Sequence, residues 1–464
     1  RNSMTQKNTT VIRHKPMMSM RQILLMNLGF FGIQYSFGMQ QTAINPIYKM
    51  LGADESELPI LNMAGPITGL LIQPLIGAMS DRTWSEKWGR RKPFFVVGAI
   101  GCSVCLFLFP FVSALWMAVL LLWLLDASNN TAMEPYRAFI ADRLPPSQTA
   151  KGFLAQSFFA GLGITLANAS MFLFEHIWDG VAGSGLPYYV FGAFMLGSVC
   201  SIATVLVSVL STDEIPPSPE ELAQLRSKKD RERFGALKDI GNAIVEMPKE
   251  LRKLGLVYLF QWYAMFVYWQ FISLSIAKSV FNTTDAQSQA YREATTWTGL
   301  VNGSYNVVTF MVAFGLVSLA KKHGAKWVHT ASLICALVSL LILPHVTNKF
   351  LVFLPMIGFG ISWASLLGVP YIMAVRMVPS NRYGVYMGIL NMMIVLPQLL
   401  ETVTFGFVYD TFLGKDPTNA ITFTGVLMGL AAIAMTWINE PPTIRDMDDV
   451  SAPPKVAGDF KESK

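Results

Sequence analysis

Gly77-Ala78-Met79-Ser80-Asp81-Arg82, followed six residues later by Gly89-Arg90-Arg91-Lys92, is a short run of glycine and charge between two long apolar stretches. The stretch before it (about 58–80) and the one after it (about 93–113) each hold the roughly 20 apolar residues an α-helix needs to cross a hydrocarbon core about 30 Å thick. Glycine lets two helices approach closely. An Asp at a helix end beside an arginine cluster can form an ion-pair latch that breaks when the packed parts rock. The competing reading of Gly77, Asp81, Arg82, Gly89, Arg90 and Arg91 is a solvated basic turn that serves topology alone.

Read outward from this loop, the chain resolves into twelve candidate spans: about 22–48, 58–80, 93–113, 115–141, 153–175, 187–210, 255–279, 295–319, 327–345, 350–377, 384–409 and 420–438. Composition agrees. Of the 464 residues 52% are hydrophobic and 14% charged, against roughly 25% charged in soluble proteins, and the mean hydropathy is +0.42. So few charges cannot cover a water-soluble globule of this size. Disorder, collagen and disulfide scaffolds fall on the same grounds. A net charge of +6 raises the question of nucleic acid, but the basic residues lie between apolar runs and form no aromatic-basic module. Cys102, Cys105, Cys200 and Cys335 all fall inside apolar runs and read as small packing residues. The first apolar run is too long for a cleavable signal peptide, and Arg1-Asn2-Ser3 before Met4 reads as an addition.

The fold class expected is therefore an all-α polytopic membrane protein, with twelve transmembrane helices in two pseudo-symmetric six-helix bundles. The expected division is an N-terminus at 1–21, an N-terminal bundle at 22–210, a linker at 211–254, a C-terminal bundle at 255–438 and a tail at 439–464. Thirty of the 36 Lys and Arg fall on one face, five on the other, and Arg137 lies within a span. By the positive-inside rule both termini and the linker are cytoplasmic, in a plasma or bacterial inner membrane. The halves echo each other at offsets of 227 to 238 residues: Glu134-Pro135-Tyr136 with Val369-Pro370-Tyr371, Pro146-Ser147 with Pro379-Ser380, Gln34-Tyr35 with Gln261-Trp262, and Gly77 with Gly315. Parallel repeats around a central cavity are an architecture of alternating-access transporters.

The fourth span carries the chemistry: Asp126, Asn129, Asn130, Glu134, Arg137 and, at its end, Asp142. A charge at membrane depth costs at least about 2.5–3.5 kcal/mol on insertion scales and as a rule faces a cavity. At 100° per residue Asp126 and Arg137 lie within about 20° of one face, though about 16 Å apart along the axis. A carboxyl in low dielectric titrates nearer neutrality while an Arg stays charged, so Asp126 reads as a proton site and Arg137 as part of a polar-ligand site. Glu134 is balanced between that role and a structural ion pair, and Asp142 reads as an end cap.

These residues resemble the plant sucrose–proton symporters and their animal and bacterial relatives, some of which carry maltose. The Gly77–Lys92 run resembles the signature loop of the major facilitator superfamily. Gly32-Ile33-Gln34 with Gln40, Ala64 to Leu70 through Gln73-Pro74, and Leu125-Asp126 with Asn129-Asn130, Pro135 and Arg137-Ala138 carry the narrower resemblance, as does Gly388 to Asn391 through Pro397-Gln398. The resemblance implies that Asp126 is the proton-coupling acid and Arg137 its charged partner in sugar binding and release. Two departures point to a bacterial-type substrate range. The plant pattern has a His after the first span where this chain reads Leu51-Gly52-Ala53-Asp54-Glu55. The charged cluster of the plant seventh span is replaced by Gln261-Trp262-Tyr263 through Tyr268-Trp269-Gln270.

Gln34, Gln40, Asn62, Asn130, Gln156, Asn302, Asn306, Asn391 and Gln398 offer the donors and acceptors that sugar hydroxyls need, and Trp262, Tyr263, Tyr305 and Trp363 offer stacking faces. For each amide interhelical hydrogen bonding is the competing role, and for each aromatic, packing. Glu401 is an acid in the eleventh span, open to either a second proton site or a structural role. His14, His323 and His329 fall near cytoplasmic ends without metal-ligand company. No phosphate-binding Gly-rich motif and no nucleophile–base constellation points to a pump or an enzyme. The expected protein is a monomeric secondary transporter that symports protons with a disaccharide of sucrose or maltose type, with no cofactor beyond the proton gradient. The alternative is a proton-driven exporter of amphipathic organic cations.

Overall fold

The computed structural model describes residues 15–53, 61, 63–180, 182–183, 188–231, 235–285 and 288–440. Twelve long helices fall on the twelve expected spans: α1 Met20–Met50, α2 Ala64–Arg82, α3 Lys92–Leu108, α4 Leu115–Arg143, α5 Thr149–Ile177 and α6 Tyr188–Ser211 in the first half. Two shorter helices, α7 Pro219–Arg231 and α8 Gly235–Val245, occupy the charge-rich connection. The second half holds α9 Lys249–Ser279, α10 Gln289–His323, α11 Ala325–Ile342, α12 Phe353–Met377, α13 Tyr383–Thr411 and α14 Pro417–Thr436.

Local chemistry sets the ends. Ser288 accepts from the Tyr291 N–H to cap α10, and Asp416, ahead of Pro417, accepts from the Thr418 N–H at 3.0 Å to cap α14. Gly324, at φ +87°, takes the left-handed conformation that splits α10 from α11. Eight of the twelve are long and apolar enough to cross a membrane on length and composition alone. The other four (α1, α2, α4 and α9) include the two that carry the polar residues described below around Asp126 and Trp262.

Packing repeats between the halves. In the first, α1 packs on α5 and α6, α2 on α4, and α3 on α4 and α6; in the second, α9 packs on α13 and α14, α10 on α12, and α11 on α12 and α14. Each contact recurs eight helices on, as a parallel repeat demands. The halves meet along α2–α13 and α5–α10, two seams that exchange under the repeat, with α5–α12 and α4–α13 beside them. The basic loops share one end of the bundle. There Lys15 donates to the Ala141 carbonyl at 2.8 Å, and Glu440 accepts from the Lys326 N–H at 3.2 Å, so both described ends of the chain lie on this basic end.

Candidate functional site

Helix α4 runs unbroken through Pro135 and buries Asp126, Asn129, Asn130, Glu134 and Arg137. Asp126 is 2% exposed. Gln40 of α1 and Gly65 of α2 lie beside it. Its Oδ1, the Gln40 Nε2 and the nearby Tyr48 hydroxyl are all buried without a hydrogen-bond partner. Among the described residues no ion pair involves Asp126. This is a carboxyl surrounded by polar but uncharged groups.

Asp126 and Arg137 form no ion pair with each other. Arg137 Nη1 instead meets Glu134 Oε1 at 2.7 Å. The reason is helical geometry: three residues bring side chains together on one face, whereas eleven separate them by about 16 Å. The guanidinium stacks on the Tyr371 ring of α12, 4.5 Å from its centroid, and also faces Phe30 of α1 at 5.9 Å. Tyr258 of α9 is buried next to this group. One residue from each of α1, α9 and α12 thus closes over the α4 ion pair. Glu134 Oε2, Arg137 Nε and the Tyr371 hydroxyl remain buried and unpartnered.

The second half contributes an aromatic wall. Trp262 of α9 and Trp363 of α12 meet edge to face at 5.8 Å, Trp269 meets Trp363 at 5.6 Å, and Trp269 Nε1 donates to the Tyr305 hydroxyl at 3.1 Å. Both Trp262 Nε1 and Trp363 Nε1 are buried with no acceptor, as is the Asn306 Oδ1 with no donor. In the first half Gln34 is buried, and Gln156 buries an unpartnered Nε2.

Other expected sugar ligands are engaged elsewhere. Asn130 donates to Thr68 Oγ1 at 2.9 Å and accepts from Gln73, which ties α4 to α2. Asn302 accepts from the Tyr268 hydroxyl at 2.9 Å, and Asn391 donates to the Gly69 carbonyl at 2.9 Å across the seam. For these three amides interhelical bonding wins. Tyr263 faces away from Trp262: it bonds Thr404 at 2.8 Å and packs on Phe405 and Phe423. Glu401 is buried and accepts from Gln270 at 3.2 Å, while Gln398 is half-buried. Asn62 lies outside the described residues.

The charged loop is a latch across the halves. Asp81 accepts from the Gly384 N–H at 2.8 Å and the Val385 N–H at 2.9 Å, so a carboxylate of α2 caps the first turn of α13. Arg91, with no exposed side-chain surface, pairs Asp81 at 2.7 Å and Asp142 at 2.9 Å. The Asp81 contact is ionic, its N–H not aligned for a hydrogen bond. Asp142 is therefore a latch partner rather than an end cap. Arg82 pairs Asp239 of α8 at 2.5 Å. A Cβ on Gly77 would overlap the Gly384 carbonyl, which is why α2 carries glycine at the crossing. Arg90 enters only through its backbone N–H, which with those of Arg91 and Lys92 donates to Glu214 at 2.8–3.1 Å. Gly89, at φ +87°, presses against the same carboxylate. Glu214, Asp239 and Tyr371 were not apparent from sequence. Each lies more than a hundred residues from its partner, and no spacing rule links them.

Two six-helix bundles, joined by a charged latch at one end and enclosing buried ionisable and aromatic residues, are the architecture of a membrane carrier. The chain belongs to the Major Facilitator Superfamily, whose family model matches residues 26–400. It is 25% identical to the sucrose transport protein SUC4 of Arabidopsis thaliana, across 88% of this chain and 89% of that protein. It is equally 25% identical to the sucrose transport protein SUT1 of Oryza sativa subsp. japonica, across 89% and 86%. Among solved structures, the proton:xylose symporter XylE bound to 6-bromo-6-deoxy-D-glucose superposes with a TM-score of 0.64 at 13% identity, across 91% of this chain and 96% of that one.

Proposed function

We propose that this transporter symports protons with a disaccharide of the sucrose type, and that Asp126 is the coupling acid. The observation that carries the reading is a buried carboxyl with no counter-ion, on the helix that also holds the Glu134–Arg137 pair. The similarity to sucrose transport proteins over most of the chain supports the sugar, and the free indole N–H groups of Trp262 and Trp363 with the Asn306 carbonyl suit its hydroxyls. No feature of the described residues favours the organic-cation exporter.

With the basic end cytoplasmic, the latch and the stacked Phe153–Tyr371 contact close the carrier to the cytoplasm. A proton reaching Asp126 from outside removes the one charge in that site without a partner. Sugar then binds between the α4 face and the aromatic wall. Rocking of the halves breaks the Asp81 cap on α13 and pulls Tyr371 off Arg137. Proton release inside restores the charge and resets the carrier. Glu134 stays with Arg137 as an ion pair on the cytoplasmic side of Asp126, and Glu401, outside this cluster, is a second candidate acid.

Purified protein in liposomes loaded with a pH-sensitive dye tests this. Sucrose added outside should acidify the lumen as protons enter with it, with maltose next and glucose and melibiose as comparisons. A sodium-dependent, proton-independent uptake would overturn the coupling, and hydrophobic cations moving in place of sugars would overturn the substrate.

A further inference from the structure

His329 lies on α11, a helix that contributes none of the candidate-site residues above, yet its side chain is fully buried. Its Nε2 meets Gln261 Oε1 of α9 at 2.9 Å, and its Nδ1 meets Ser365 Oγ of α12 at 2.9 Å. Both partners are fully buried as well. An amide oxygen only accepts, so Nε2 carries the proton and the neutral ring's Nδ1 accepts from the Ser365 hydroxyl. The ring therefore reads as one donor and one acceptor, each matched to a different helix.

Those two helices carry the aromatic wall. Gln261 is adjacent in sequence to Trp262, and Ser365 lies two residues past Trp363. Helices α9 and α12 pack sparsely on each other directly, each resting mainly on other neighbours. Rotation of either helix about its axis would carry its indole round with it and out of the pair. The edge-to-face contact of Trp262 with Trp363 depends on both rotations at once.

We propose that His329 is a positioning residue for the sugar site: by bonding α9 and α12 simultaneously it sets their rotation, and through them the Trp262–Trp363 pair that receives the substrate. It touches no substrate itself. The inference rests on the aromatic wall being the sugar's binding face.

The test compares His329→Phe, which fills the space but makes neither bond, with His329→Gln, which keeps a donor for Gln261, in liposome uptake and in near-ultraviolet circular dichroism. His329→Phe should raise the half-saturating sucrose concentration about five- to tenfold with maximal velocity within about twofold. His329→Gln should return most of that loss. The tryptophan dichroism of His329→Phe should change in the same direction as that of Trp363→Phe. An unchanged half-saturation, a loss confined to maximal velocity, or an unaltered tryptophan spectrum would each overturn the proposal. If His329→Phe fails to fold, His329→Asn, too short to reach Gln261, takes its place with the same outcomes. Wild-type protein that moves no sugar would refute the functional reading instead, and the dichroism comparison would still decide the positioning role.

Discussion

Replacing Asp81 by Asn is the sharpest perturbation of the latch. The carboxylate accepts two backbone N–H groups from the first turn of α13, at 2.8 and 2.9 Å, and pairs with Arg91 at 2.7 Å. Hydrogen bonds to a charged group contribute about 1.5–3 kcal/mol and neutral ones about 0.5–1.5. An Asn carbonyl can keep one of the two, and Arg91 retains Asp142 at 2.9 Å. The net loss from the closed state is about 2 kcal/mol, a factor of about 30 in the equilibrium between closed and open basic ends. A latch that began at 99:1 would fall to about 3:1. Spin labels on the exposed Glu86 and Asn381 positions, in a background lacking the four native cysteines, report that equilibrium as a distance distribution. Wild type should give one short population, and Asp81→Asn should add a longer one holding about a quarter of the molecules. Indistinguishable distributions would refute the argument that the Asp81 carboxylate holds the halves together, because the variant removes only its cap on α13 and its ionic contact with Arg91, while the Arg91–Asp142 pair and the Glu214 bonds remain.

Asp126→Asn should abolish sucrose-driven proton entry while preserving sucrose counterflow, measured by exchange of labelled sugar across the same liposomes. Proton-driven accumulation by the variant would remove Asp126 from coupling. Breaking the buried Glu134–Arg137 pair on one side, by Glu134→Gln or Arg137→Met, should destabilise the protein by about 3–5 kcal/mol, with the double variant less affected than the two single losses summed. Additive thermal shifts would show that the pair is not coupled. On the opposite end, Asp416 is pushed up by partial burial but held below the usual carboxylate range overall by the Lys278 and Thr418 bonds. A carboxylate lowered on folding contributes stability that is present above its unfolded value of about 4 and is lost as pH falls through the folded value. Asp416→Ala should therefore cost about 1 kcal/mol at pH 7, with the gap to wild type narrowing below about pH 4. A constant gap across that range would contradict the assignment.

Span number, helix placement and repeat were legible because hydrophobic length is a local property that survives any tertiary arrangement. The Gly77–Lys92 latch was legible for a related reason, since a fixed charge at a helix end has few roles open to it. Pairing was harder. Asp126 and Arg137 share a face by periodicity, but a shared face does not close a rise of eleven residues, and the nearer Glu134 took the arginine. Amides proved ambiguous in the same way. Asn391 and Asn306 have equal chemistry, yet one meets a carbonyl across the seam and the other keeps a free oxygen. Only tertiary contacts separate those outcomes. Tyr371, Glu214 and His329 act through partners far away in sequence, so their roles emerge only once the helices are packed.

Infrared difference spectroscopy of the reconstituted protein, recorded while pH is stepped with and without sucrose, addresses the central claim most directly. A carboxylic-acid carbonyl band that appears as pH falls through the working range, shifts on sugar binding and disappears in Asp126→Asn is the expected result. A spectrum in which that band is missing from wild type, or persists unchanged in Asp126→Asn, would mean that another group carries the proton.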